Sequence, residues 1–313
     1  MQGGAMRWRK LGRVFVARGQ QAWMRSHAMV PIPLPLGGHA LRVLFSPRDG
    51  QGRCHLAWLE MDLRAPTRPR RLGVAPLLSP GAGDAFDAWG AMGAWVAESG
   101  GEERLYYQGW TRPPGRPFGA AIGLATRPAG CAPDTPFRRA QPGPVLAPGP
   151  EDPAFVANPA VLPDGAGGWR MWYQSGRPWE RVGGAWKPRY AIRHATSPDG
   201  RRWTPSPGAA LDHAHPGEAA IARFCPLREA GGGWRAFYAF RGDDWPYRIG
   251  TAASADGRAW QRQDALAGIA PGPGGWEGES VTYPTVFDAA GARWMLYNAG
   301  RYGDAGFGLA VLE

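Results

Sequence analysis

The sequence predicts an all-β protein, a five-bladed β-propeller of four-stranded antiparallel blades, and three observations carry that expectation. The first is a theme repeated at near-constant spacing: a Trp/Tyr-rich strand, a second strand ending on Ala, then an Asp-Gly turn and a Trp. Its clearest copies are Gly167–Gly176 with Tyr190–Trp203, and Gly232–Gly242 with Tyr247–Trp260. The second is the period itself. The last aromatic of the first strand falls at Phe45, Tyr107, Tyr173, Tyr238 and Tyr297, in steps of 62, 66, 65 and 59 residues. Short strands and tight turns at such a period describe radial repetition of small sheets. The third is that the two ends complement each other. Ala292–Glu313 runs through the aromatic and Ala strands and stops before any Asp-Gly turn, while Met6–Phe15 offers a strand with Trp8 in the place of Trp203 and Trp260. The N-terminal strand is expected to complete the last blade and close the ring, which removes two open sheet edges.

Taken in order, each unit reads as four strands. A leading strand ends near a Pro, as in Asn158–Leu162, Arg223–Leu227 and Tyr283–Phe287. The aromatic strand, the Ala strand and a short strand carrying the Trp follow. Asp199-Gly200 and Asp256-Gly257 are expected as two-residue hairpin turns, where Gly accepts positive φ without steric cost. Wedge-shaped blades need large flat side chains between neighbouring sheets, which accounts for much of the 16 Trp without any ligand. The blades are expected at about 27–75, 86–143, 154–208, 217–265, and 276–313 with 6–15, forming one domain over 1–313. The first is the weakest copy.

Composition agrees. The 313 residues can bury a sizeable core, 47 Gly and 32 Pro suit many turns, and no 3.6-residue periodicity argues for helices. No stretch approaches the roughly 20 apolar residues of a membrane span. The opening segment MQGGAMRWRK has no apolar core for a secretion signal. Cys54, Cys131 and Cys225 are odd in number and scattered, which fits free thiols and a cytoplasmic protein, and no metal-ligand spacing or cofactor motif is present. The net charge of +10 is almost all Arg, 34 of 36 basic residues, dispersed and without a basic helix. That pattern argues against nucleic acid and leaves open an anionic small molecule held by Arg forks. Oligomeric state is not readable.

Repeated geometry also indicates where chemistry would sit, because the innermost strands converge on one axial funnel. Each leading segment has a polar residue just before an apolar run: His27, Asp87, Asn158, Arg223 and Glu279. Five equivalent places with five different polar side chains are more variety than a structural repeat requires. Tyr283 belongs to the last of these segments. Loops after the aromatic strands add Trp110, Arg177, Trp179, Arg241, Asp243, Asn298 and Tyr302 as rim candidates, since aromatic faces stack on sugar rings and Arg or Asn bridges hydroxyls. For each, a packing or turn role is the competing reading.

The five-unit pattern, the Ser-x-Asp-Gly-x-x-Trp turns and the axial polar set resemble the five-bladed propellers of glycoside hydrolases and related phosphorylases, the arabinanase, β-xylosidase and levansucrase group. KLG, SHA, FD, the SPDG and SADG turns and YNAGRYGDAGFG further resemble bacterial propeller proteins of polysaccharide-assembly clusters. The resemblance implies a carboxylate pair working on a glycosidic bond of a glycan or glycosyl conjugate. It implies Glu279 as the acid, Asp87 as its partner and His27 where a further acid is usual. Glu277 is a rival for the acid role. Asn158, Arg223, Tyr283, Trp110, Arg177, Arg241, Asn298 and Tyr302 are the implied substrate contacts. Because His27 and Asn158 stand where carboxylates are expected, a non-hydrolytic sugar-binding, phosphorylase or transferase-associated role is the alternative, with a carbohydrate or sugar-phosphate ligand either way. Sialidases, with one more residue between Asp and Gly and six blades, are a poorer match.

Overall fold

The computed structural model describes residues 4–313, so Met1–Gly3 of the opening segment lie outside the described residues. Among the described residues, twenty-two strands, with two short 3₁₀ turns at Asp264–Leu266 and Gly275–Glu277, make an all-β architecture. Apart from β1 (Trp8–Phe15), the strands fall into consecutive antiparallel units. The first unit is β2 (Ser26–Pro35), β3 (Ala40–Arg48), β4 (Ala57–Asp62) and β5 (Arg71–Leu72). The second is β6 (Gly90–Ser99), β7 (Glu102–Thr111), β8 (Gly119–Pro128) and β9 (Arg138–Arg139). In the third, β10 (Val156–Pro163) pairs with β11 (Trp169–Gly176), which then projects an unforeseen outer hairpin of β12 (Glu180–Val182) and β13 (Ala185–Lys187). That unit finishes with β14 (Tyr190–Ser197) and β15 (Thr204–Pro205).

The fourth unit is β16 (Glu218–Arg228), β17 (Trp234–Gly242), β18 (Arg248–Ser254) and β19 (Gln261–Arg262), joined to the third by one parallel bridge between Tyr190 and Ala220. The last sheet holds β20 (Val281–Ala289), β21 (Ala292–Ala299), β22 (Phe307–Leu312) and β1, with Trp8 opposite Leu312. The leading strands β2, β6, β10, β16 and β20 pack side by side, each against the next, and β20 packs against β2.

Every leading strand breaks register with its partner near its middle. In four of them a non-glycine residue there takes positive φ: Val30, Asn158, Arg223 and Tyr283, at +50°, +44°, +49° and +50°. Pro31, Pro159 and Pro284 follow three of these, where a bulge leaves no ladder bond for the missing N–H to make. Left-handed backbone is uncommon for non-glycine residues and unusual for a β-branched one such as Val30. Asn298 supports that position. Its Oδ1 accepts the Val30 N–H at 2.9 Å, and its Nδ2 donates to Ala28 O at 2.7 Å and Gly306 O at 2.9 Å. The bulges turn chosen side chains of the leading strands away from the alternating pattern.

The Asp-Gly segments differ from the expected two-residue hairpins. β14 ends at Ser197 and β15 begins at Thr204, so six residues connect them. Within that loop Asp199 Oδ1 accepts the N–H groups of Arg201 and Arg202 at 2.8 and 2.9 Å, and Ser197 Oγ accepts that of Gly200 at 2.9 Å. The loop then docks on the preceding unit: Tyr106 Oη donates to Gly200 O at 2.8 Å, and Arg104 Nη1 to Asp199 O at 2.8 Å. The next unit repeats the device, with Trp172 Nε1 donating to Gly257 O at 2.9 Å and Arg170 to Asp256 O. Gly257 has φ +74°, and a Cβ there would lie 2.9 Å from Trp234 Cε2, so both conformation and space require glycine. Trp172 itself is fully buried against Trp234, His194 and Trp260, a burial that contributes on the order of 2–3 kcal/mol. The Asp-Gly-x-x-Trp theme is thus an inter-sheet latch.

The period marker has its own structural meaning. Tyr107, Tyr173 and Tyr238 each donate to a carboxylate, Asp87, Asp152 and Asp264 respectively. Arg139, Arg193 and Arg262 pair with those carboxylates. In the last sheet Tyr297 sits beside Glu277, which pairs with Lys10 of β1. Phe45, the first copy, has no hydroxyl to donate, so the first unit lacks this contact. A buried Tyr needs a partner for its O–H, and a buried carboxylate needs a cation; the triad supplies both.

Candidate functional site

A cavity of about 320 Å³ opens among the leading strands and the ends of their partners. β2 contributes Met29, β6 Met92, β10 Asn158 and β20 Tyr283, while the second strands contribute Arg48, Gln108, Trp110 and Gln174. One wall is aromatic. Trp110 packs edge-on against Phe118 at 5.0 Å between ring centroids, and Phe118 against Phe155 at 5.1 Å. Trp179 stands behind Phe118 at 5.0 Å and does not reach the cavity.

The floor beside that wall is polar and neutral. Asn158 Nδ2 donates to Gln174 Oε1 at 2.6 Å, while Asn158 Oδ1 and Gln108 Oε1 are buried without partners. Asn158 is 5% exposed and Gln108 is 2% exposed. Such amides forgo water without recovering a hydrogen bond, a cost of about 1–3 kcal/mol each that a ligand can offset.

The opposite side is a cluster of phenols. Tyr190, Tyr283 and Tyr302 line the cavity, and Tyr247 joins them from behind through a hydrogen bond with Tyr190. Tyr247 and Tyr283 ring centroids are 6.1 Å apart. Burial pushes the Tyr247 and Tyr283 phenols well above their ordinary value. They therefore act as neutral donors and acceptors. Arg241 stands over this cluster, 5.6 Å from the Tyr247 ring centroid and 5.9 Å from that of Tyr190.

Of the expected contacts, Asn158, Trp110, Tyr283 and Tyr302 line the cavity, with Arg241 adjoining it. The remainder do not, and each has a physical reason. Asp87 is completely buried, its carboxylate held by Tyr107 Oη at 2.9 Å and Arg139 Nε at 2.8 Å. Glu279 is exposed on the loop before β20 and is not among the lining residues, and Glu277 is engaged by Lys10. Arg177 pairs with Asp212 at the surface, and Asp243 with Arg189. Asn298 braces β2, as described above.

Arg223 lies beneath the cavity, fully buried, donating to Thr285 Oγ1 at 2.8 Å and to Ala94 O. Thr285 Oγ1 in turn donates to Pro31 O at 2.8 Å. Arg223 therefore ties β16 to β6, β20 and β2, and desolvation lowers its pKa to about 10. His27 sits beside Arg48 and hydrogen-bonds Ser26 Oγ at 2.9 Å, without lining the cavity. Burial, with Arg48 adding to it, lowers His27 to about 4, so its imidazole is neutral near pH 7.

Arg48, Gln108, Gln174 and Tyr190 were not anticipated. A signal for two of them was present: Gln108 and Gln174 each follow the marker Tyr directly, whereas Phe45, Tyr238 and Tyr297 are followed by Ser46, Ala239 and Asn298. Variation at that repeat position identifies cavity residues better than variation just ahead of the leading strands. Among the described residues, no Asp or Glu lines the cavity, and no group of three or more His, Cys, Asp or Glu is arranged to hold a metal ion.

No protein-family model matches the sequence. It is 38% identical over 308 residues to an uncharacterized Mycobacterium tuberculosis protein, MT1551 of strain CDC 1551 / Oshkosh, covering 98% of this chain and 100% of that one. The corresponding figure for the uncharacterized protein Rv1502 of strain H37Rv is 37% over 308 residues. Among solved structures it is similar to that of BT0996 in its RGII complex, with a TM-score of 0.73, 17% identity and coverage of 99% of this chain and 92% of that one. It is also similar to the α-L-arabinofuranosidase PaAbf62A of Podospora anserina in complex with cellotriose, at a TM-score of 0.70, 12% identity and coverage of 99% and 97%. A third likeness is to the β-1,2-mannobiose phosphorylase of Listeria innocua, at a TM-score of 0.69, 13% identity and coverage of 98% and 96%. These likenesses establish the glycoside hydrolase-like β-propeller fold.

Proposed function

Since the protein belongs to the family of the Mycobacterium tuberculosis proteins MT1551 and Rv1502 and has a glycoside hydrolase-like β-propeller fold, we propose that it holds a carbohydrate, a glycan or glycosyl conjugate, in its axial cavity without two-carboxylate hydrolysis. The observation that carries this reading is the lining: an aromatic wall opposite buried amides and phenols, with no Asp or Glu among the described lining residues. Hydrolysis needs one acid to protonate the leaving oxygen and one base or nucleophile across the sugar. Of the acids expected for that work, Asp87 is engaged with Tyr107 and Arg139, and Glu279 is exposed outside the lining. Stacking on Trp110 and Phe118, with hydroxyls satisfied by Asn158, Gln108 and Gln174, suits recognition of a sugar ring.

The same reading takes the molecule as one domain, a closed ring of five blades. It is supported by the cyclic packing of the five leading strands and by the pairing of β1 with β22. Three unpaired cysteines fit a reducing compartment, the setting expected for a protein that handles glycosyl intermediates of polysaccharide assembly.

The test is a ligand-observed NMR screen against a panel of mono- and oligosaccharides, followed by product analysis over long incubation. Saturable binding without product, reduced at least about tenfold by Trp110→Ala or Asn158→Ala, supports the proposal, since tenfold corresponds to about 1.4 kcal/mol, of the order of one stacking contact or buried hydrogen bond. Turnover abolished by Glu279→Gln or Asp87→Asn in a folded variant would refute it.

A further inference from the structure

We infer that the ligand of this cavity is an acidic sugar, and that its negatively charged group, a carboxylate or a phosphate monoester, sits between Arg48 and Arg241 among the tyrosines. The inference rests on the carbohydrate reading above and adds the substrate class.

Arg48 ends β3 and Arg241 lies near the end of β17, so two guanidinium groups from the first and fourth units reach the same cluster. Arg48 lines the cavity directly. Arg241 stands over the Tyr247 and Tyr190 rings. Both cations act on Tyr283 and Tyr302, opposing the burial that pushes those phenols up.

Neither guanidinium has a carboxylate partner among the described residues. The nearest acids in the sequence are committed elsewhere: Asp49 to Arg53 Nε at 2.9 Å and His55 Nε2 at 3.2 Å, and Asp243 to Arg189 Nη2 at 2.7 Å. Asp304, the acid that acts on the neighbouring His27, is half-exposed on the loop before β22 and lies outside the lining. The Nε atoms of Arg48 and Arg241 are both buried and without a hydrogen-bond partner.

Most arginines elsewhere in the protein illustrate the alternative arrangement. Arg42, Arg127, Arg193, Arg262 and Arg293 are each matched to an acid. Arg112 also lines the cavity without an acid partner, but it is exposed and stacked on Trp89. The two half-buried cations Arg48 and Arg241, with free Nε–H groups and four phenol hydroxyls at hand, form a receptor for an oxyanion, because a guanidinium fork and phenol donors match the geometry of carboxylate or phosphate oxygens. The amides and aromatics across the cavity remain for the neutral part of the ring.

The experiment compares matched sets by isothermal titration at fixed low salt: glucose, glucuronate and glucose 6-phosphate, with the galacto and manno sets alongside, and inorganic phosphate as the ion alone. The expected result is that the acidic member of at least one set binds at least about tenfold more tightly than its neutral parent, equivalent to about 1.4 kcal/mol. Arg48→Met and Arg241→Met should each bring it down to the neutral level, with Arg48→Lys and Arg241→Lys as charge-retaining controls checked by thermal melting. Preference for the uronate or for the phosphate ester identifies which anion the site takes. Equal affinity for neutral and acidic members would overturn this inference while the carbohydrate reading stands. Inorganic phosphate bound as tightly as any sugar phosphate would keep the anion site and overturn the acidic-sugar assignment together with the carbohydrate reading. No binding by any probe would overturn both.

Discussion

Replacing Asp87 by alanine should cost stability and leave the cavity intact. Its carboxylate is 0% exposed and accepts from Tyr107 Oη at 2.9 Å and from Arg139 Nε at 2.8 Å, with Arg139 Nη2 at 2.7 Å. Hydrogen bonds to a charged group contribute roughly 1.5–3 kcal/mol each, and breaking a fully buried pair costs roughly 3–5 kcal/mol. Arg139 is 31% exposed, so it regains water when the carboxylate is removed, and the lower end of that range, about 3 kcal/mol, applies. With an unfolding entropy of roughly 2.1 cal/mol/K per residue, a protein of this length loses about 4–5 °C in Tm. Asp87→Asn keeps an acceptor for Tyr107 and should fall between parent and Asp87→Ala. Differential scanning calorimetry on the three proteins, with sugar binding measured in parallel, is the assay. A melt within about 1 °C of the parent, against the expected 4–5 °C, or an unchanged melt with lost binding, would refute the structural assignment of Asp87.

Three further outcomes follow from the latches and the buried imidazoles. Gly257→Ala forces a side chain into φ +74° and 2.9 Å from Trp234 Cε2, so it should lower stability by about 1–3 kcal/mol in a denaturant melt. Tyr106→Phe removes the 2.8 Å bond to Gly200 O and should cost about 1 kcal/mol. Burial lowers His27 and His194 to about 4. The unfolded chain therefore takes up these protons from pH 6.5 downward while the folded chain does not, so stability is full above about pH 6.5 and declines towards pH 4. His194→Gln should flatten part of that slope in urea melts collected across the window; an unaltered slope would exclude His194 as a contributor.

How much could be read in advance depended on what repeats. The Tyr107, Tyr173, Tyr238 and Tyr297 spacing is legible because each copy fills the same slot beside a carboxylate, hydrogen-bonded to it in the first three. The Asp-Gly-Trp segments were legible as turns and misread as two-residue hairpins, because their purpose, docking on Tyr106 and Trp172 of the preceding unit, involves partners 94 and 85 residues away. The candidate site was half legible. Asn158 and Tyr283 line the cavity because they stand at bulges ahead of a proline. Asp87 and Glu279 stand upstream of a strand, and a residue outside the strand is not carried by the bulge geometry. Arg48 could not be singled out from 34 arginines, since what distinguishes it is a place in the cavity lining without an acid partner, a property of three-dimensional neighbours.

The pairing of Trp8 with Leu312 has a consequence for biosynthesis. β1 leaves the ribosome roughly 300 residues before the strand that will receive it, a delay of about 15–60 s at ordinary elongation rates. Throughout that wait its backbone groups are open to any extended segment nearby, including the same segment on adjacent polysome chains. Arg9, Lys10 and Arg13, spaced along those eight residues, place like charges on every such encounter. Nascent chains stripped of these cations would be expected to find each other before they find Leu312.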